Sequence, residues 1–73
     1  MAIAHEIAAF DIVELTERVD DAPAGARGGV LEISDDGIAT IEVMEPVLGP
    51  AQRIVFASLD VLRIVRSSKR HAS

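Results

Sequence analysis

Asp35-Asp36-Gly37 stands between two apolar, β-branched runs, residues 28–34 (GGVLEIS) and 38–44 (IATIEVM). An Asp-Gly pair in that setting is among the strongest short hairpin signals, because tight turns between antiparallel strands favour residues that tolerate positive φ. It commits the middle of the chain to two antiparallel strands. In the second of them Ala39, Ile41 and Val43 share one face, with Thr40 and Glu42 on the other. Three more short runs read the same way: residues 11–15 (DIVEL), 53–57 (RIVFA) and 61–65 (VLRIV).

The connections fix the architecture. Residues 16–27 are polar, hold Asp20, Asp21, Pro23 and Gly25, and show no apolar period, so they form one long loop. Residues 45–52 carry Pro46, Gly49 and Pro50, which cannot continue a central strand. Ser58-Leu59-Asp60 is short enough for a single 3₁₀ turn. One long loop, tight hairpins and a helical turn before the last strand make the order of an SH3-like barrel. All-β is the expected class, with residues 10–65 as the barrel. Closing the sheet would also leave few open edges. The expected core is Val13, Leu15, Val30, Leu31, Ile33, Ala39, Ile41, Val43, Ile54, Phe56, Leu59, Leu62 and Ile64. Residues 1–9 set Ile3 and Ile7 one helical turn apart and read as a short helix or an extended arm. Residues 66–73 read as a disordered basic tail.

The turn at residues 25–30, G-A-R-G-G-V, resembles the entry to the second strand in SH3-like barrels of the KOW class. There the first glycine (here Gly25) lets the loop reverse, and the second (Gly28) lets one backbone pass close to another. The wider pattern is similar to a family of small uncharacterised bacterial proteins, a domain of unknown function. Three segments carry that resemblance: D-I-V-E-L-T-E at 11–17, the glycine turn through Glu32, and D-V-L-R at 60–63. It spans about residues 10–65 and implies a fold; it implies no chemistry. Gly29 and Gly37 complete the set of turn glycines.

With 73 residues, the chain has room for one small domain and none for a lid or a deep cleft. Residues 1–60 hold twelve acids and three bases, and residues 61–73 hold four bases and no acid. An acidic body repels phosphate backbones. Trp and Tyr are absent and Phe10 and Phe56 are the only rings, too few for base-stacking platforms. Nucleic acid is therefore disfavoured as a partner. No run of apolar residues is long enough to span a membrane and no secretory leader is recognisable, so a cytoplasmic protein is expected.

The stock of reactive groups is thin. His5 and His71 lie in the terminal segments, and there is no cysteine. A metal site needs several ligands held on rigid elements. Asp35-Asp36 is explained by the hairpin, which leaves Asp20-Asp21 in the long loop as a candidate cation site. Ser34, Ser58, Ser67 and Ser68 have no histidine in an ordered segment to activate them. No catalytic, cofactor or metal residues are assigned, and the chain is not expected to be an enzyme.

What remains is apolar surface beyond what a small barrel hides. Ile3, Ile7, Met44, Val47, Leu48 and Val55 are the expected interface residues, with the loops at 16–27 and 45–52 beside them. The expected function is a non-catalytic interaction module, forming a homodimer or regulating a larger bacterial protein. An accessory subunit or helper of an enzyme is the alternative. A KOW-like nucleic-acid domain ranks third.

Overall fold

The computed structural model describes residues 7–68. They form β1 (Ile12–Leu15), β2 (Arg27–Ile33), β3 (Ile38–Glu45), β4 (Ile54–Ser58), a 3₁₀ turn (Leu59–Val61) and β5 (Leu62–Arg66). All five strands are antiparallel in one sheet of order β4-β3-β2-β1-β5. A meander whose last strand returns to the first is the SH3-like order expected from the loops. The sheet does not close, however. The 3₁₀ turn carries the chain across to β1, where Thr16 N–H donates to Val61 C=O at 2.8 Å. Hence, among the described residues, β4 pairs with β3 alone, β5 pairs with β1 alone, and both are edges.

The hairpin at Asp35-Asp36-Gly37 is present, with a longer loop than a two-residue turn. Ser34 N–H donates to Ile38 C=O at 2.9 Å, so three residues lie between the closing pair. Of these three, Gly37 takes positive φ (81°). This is a turn followed by a left-handed residue, the usual three-residue solution. The Ser34 hydroxyl accepts from the N–H groups of Asp36 and Ile38 at 3.3 and 3.2 Å, which satisfies donors that a turn would leave unpaired.

The polar stretch after β1 is better built than its composition suggests. Val19 and Ala22 exchange backbone bonds of 2.9 and 2.8 Å around Asp20-Asp21. Asp20 sits at φ 52°, a conformation that Asp tolerates well. Ala22 and Ala26 are buried in the core. At Gly28 the backbone of β3 leaves no room for a side chain on β2. A Cβ there would run into the Glu42 carbonyl and lie 2.8 Å from Ile41 Cγ2.

The buried core is Val13, Leu15, Ala22, Ala26, Val30, Ala39, Ile41, Val43, Val55, Ala57 and Leu62. Ile33 and Leu59 are half-buried and pack against it. Four expected core residues are exposed: Leu31, Ile54, Phe56 and Ile64. The face of β4 is inverted, with Val55 and Ala57 inward and Ile54 and Phe56 outward. The register explains this, since Ile41 pairs with Val55 and Ala39 with Ala57 on the core side. Leu31 is displaced by a β-bulge between Val30 and Glu32, which lets Val30 and Ile33 both face inward. Ile64 lies opposite Val13, but on a strand with no further strand beside it among the described residues.

The ends of the described chain are tied together. Asp11 is fully buried, and its carboxylate accepts from Ala8 N–H at 2.8 Å and Ser68 N–H at 2.6 Å. Ser68 Oγ also donates to Ala9 C=O at 3.2 Å. Two expectations change here. Residues 7–10 are not helical, and Arg66 to Ser68 belong to the folded domain rather than to a disordered tail. The remainder of both terminal segments, residues 1–6 and 69–73, lies outside the described residues.

Candidate interaction surface

The strand register builds the outward face row by row. Ile12 stands beside Gly29, Gly29 beside Glu42, and Glu42 beside Ile54. In the next row Thr40 stands beside Phe56. Bulges insert Leu31 in β2, Met44 in β3 and Val65 in β5, and all three side chains are exposed. Bulges re-aim side chains in this way. Phe56 is 61% exposed and Phe10 is 75% exposed, so both of the chain's aromatic rings lie outside its core.

The sequence candidates divide. Met44, Val47 and Leu48 come together in one open groove of about 280 Å³, flanked by Glu42 and Arg53. Val47, in the loop after the cis Glu45–Pro46 bond, is 92% exposed. Arg53 and Glu42 approach to 3.9 Å at the rim of that groove. Ile7 is half-buried and packs on the core, so it offers little surface. Val55 is 1% exposed and is a core residue, for the register reason given above. Ile3 lies outside the described residues. Sequence reasoning missed Ile54 and Phe56, because both faces of the RIVFA run are apolar and alternation cannot choose between them.

The far side of the face is charged. Arg63 pairs with Glu14 across β5 and β1. The hydrogen bond from Arg63 holds the Glu14 carboxyl below its usual range against an opposing desolvation, and the charges of Arg63 and Arg27 add to the lowering. A second open groove, about 310 Å³, lies beside this row among Ile12, Arg27, Met44, Glu45 and Val65.

The reactive side chains have structural occupations. Ser34 closes the hairpin, and Ser58 caps the 3₁₀ turn by accepting from Asp60 N–H at 3.2 Å. Ser68 joins the two ends. Asp20, Asp21, Asp35 and Asp36 are exposed at two separate turn tips. Among the described residues no three His, Cys, Asp or Glu side chains are grouped to hold a metal ion. His5 and His71 lie outside the described residues. Among the described residues no helix is long and apolar enough to cross a membrane. Comparison of the chain with protein-family models, with curated proteins and with solved structures finds no match.

Proposed function

We propose that the chain is a non-catalytic interaction module whose working surface is the outward face of β3 and β4 with the adjoining proline loop. The observation that carries this reading is the placement of apolar side chains. Met44, Val47, Ile54 and Phe56 are exposed on β3, β4 and the loop that joins them, and Met44, Val47 and Leu48 line one groove there. Large side chains of this kind ordinarily fill the core of so small a domain, and apolar surface gathered in one place marks a contact site. Glu42 and Arg53 supply the polar rim typical of protein contacts. The partner is a protein: a second copy, or a larger protein that the module regulates.

Light scattering across a dilution series, together with affinity capture from the native host, tests this reading. Mass that falls on dilution, or one specific protein retained at constant stoichiometry and released by Val47→Ala with Phe56→Ala, is the expected result. A strict monomer that retains nothing overturns it.

A further inference from the structure

We infer that the partner is a second copy of this chain, joined by antiparallel pairing of β4 with β4 about a two-fold axis at Phe56. The inference rests on the interaction-module reading and specifies its occupant.

The phase of β4 comes first. Val43 N–H donates to Arg53 C=O at 2.8 Å and Leu59 N–H donates to Gly37 C=O at 3.0 Å. In an antiparallel ladder, residues alternate between bonding one neighbour and the other. Arg53, Val55, Ala57 and Leu59 therefore bond towards β3. The backbone groups of Ile54, Phe56 and Ser58 point away from it, along the open edge. Nothing in the sequence of β4 protects that edge. IVFAS has no charge and no proline, and its register with β3 is unbroken. Such an edge is a template for another strand.

The identity of that strand follows from the ends of β4. Arg53 precedes it and Asp60 follows it in the 3₁₀ turn. Two copies run antiparallel place the basic end of each strand beside the acidic end of the other. Parallel copies would stack like charges. The axis at Phe56 is the register that pairs every outward residue: Phe56 with Phe56 of the partner, and Ile54 with Ser58 of the partner in both directions. It keeps Val55 and Ala57 on the core side of both sheets and Ile54 and Phe56 on the outward side, as the side-chain period of two requires. It also puts the two rings directly opposite each other, a favourable cross-strand pair. Two-fold self-pairing closes on itself, so it yields a dimer rather than a fibre.

The test uses analytical ultracentrifugation of the full chain and of Phe56→Lys, with a circular dichroism melt to verify folding. It adds oxidative cross-linking of Phe56→Cys and Ile54→Cys, each the sole thiol in its chain. The expected result is a wild-type dimer whose association weakens by about thirtyfold or more in Phe56→Lys. Phe56→Cys forms a disulfide-linked dimer. Ile54→Cys does not, because its two thiols stand four residues out of register, roughly 13 Å apart along the strand, beyond disulfide reach. A wild type that stays monomeric to about 1 mM overturns the inference. If that monomer captures another protein, the broader reading stands; if it captures nothing, both fall. A dimer that survives Phe56→Lys, or that cross-links equally well at Ile54→Cys, also overturns the inference. If Phe56→Lys does not fold, the two cysteine variants decide alone.

Discussion

The two edges of this sheet are built to opposite rules. On β5, Arg63 and Arg66 are exposed and a bulge at Val65 breaks the regular ladder. Charge and bulge are among the usual means by which a sheet refuses a new strand. β4 itself carries neither a charge nor a bulge, and Ile54 and Phe56 are exposed on it. The same chain that blunts one edge two ways leaves the other strand without either device. General solubility does not account for that asymmetry; the contact proposed on β4 would.

Removing the pin behind β5 gives the largest expected effect on stability. Asp11→Ala deletes a buried carboxylate that accepts from two backbone N–H groups and leaves both donors without it. Hydrogen bonds to charged groups and stranded buried donors each cost on the order of 1–3 kcal/mol, so a loss of about 3 kcal/mol is expected. In a domain of this size that lowers Tm by roughly 15 °C. Asp11→Asn retains one acceptor and should fall between wild type and Ala. Urea titration of the three proteins measures this. An Asp11→Ala variant as stable as wild type would mean that Ser68 adds nothing to the closure of β5.

Converting the guarded edge into a bare one comes next. Arg63→Val with Arg66→Val strips the charges from β5 while leaving the β4 edge as it is. A molecule with two adhesive edges no longer forms a closed pair, and open chains follow. Wild type should sediment as one species. The double variant should grow with concentration into higher-order material, and adding Phe56→Lys to it should shorten those assemblies. Absence of growth would show that the bulge at Val65 suffices to guard β5 without its arginines.

How much of this was legible in the sequence depends on how far each element was constrained by its own neighbours. The hairpin of β2 and β3 was readable because Asp35-Asp36-Gly37 ties both strands together locally, and the facing set Ala39, Ile41 and Val43 is buried as alternation requires. β4 follows an irregular proline loop that sets no register, and RIVFA is apolar on both sides. Ile54 and Phe56 are the residues expected inside, but the register sets Val55 and Ala57 beside Ile41 and Ala39 on the core side. The bulge at Leu31 was equally hidden, although Val30 and Ile33, three apart, could not both face inward without one. Ala22 and Ala26 left no trace because alanine in a polar run carries no period. On the proposed contact surface, Met44, Val47 and Leu48 were legible as apolar residues beyond what a small barrel hides. Ile54 and Phe56 were missed for the same reason that the phase of β4 was.

The smallest effect belongs to the guarded edge and has a definite sign. Glu14 is paired with Arg63, and its folded pKa lies below the ordinary value of 4.5. A carboxylate depressed in this way stabilises the folded state above its unfolded pKa, and the contribution disappears as pH falls through the folded value. The stability gap between wild type and Arg63→Met should therefore be constant near neutral pH and shrink once the pH drops below about 4.5. It should also narrow in high salt, since the pair is exposed and easily screened. In Arg63→Met the Glu14 carboxyl should titrate closer to its ordinary value, which a carbon-detected NMR titration follows directly. A gap that widens in acid would mean that Arg63 contributes chiefly by packing its aliphatic stem on the edge of β5, and charge would then cease to be one of the features separating β5 from β4.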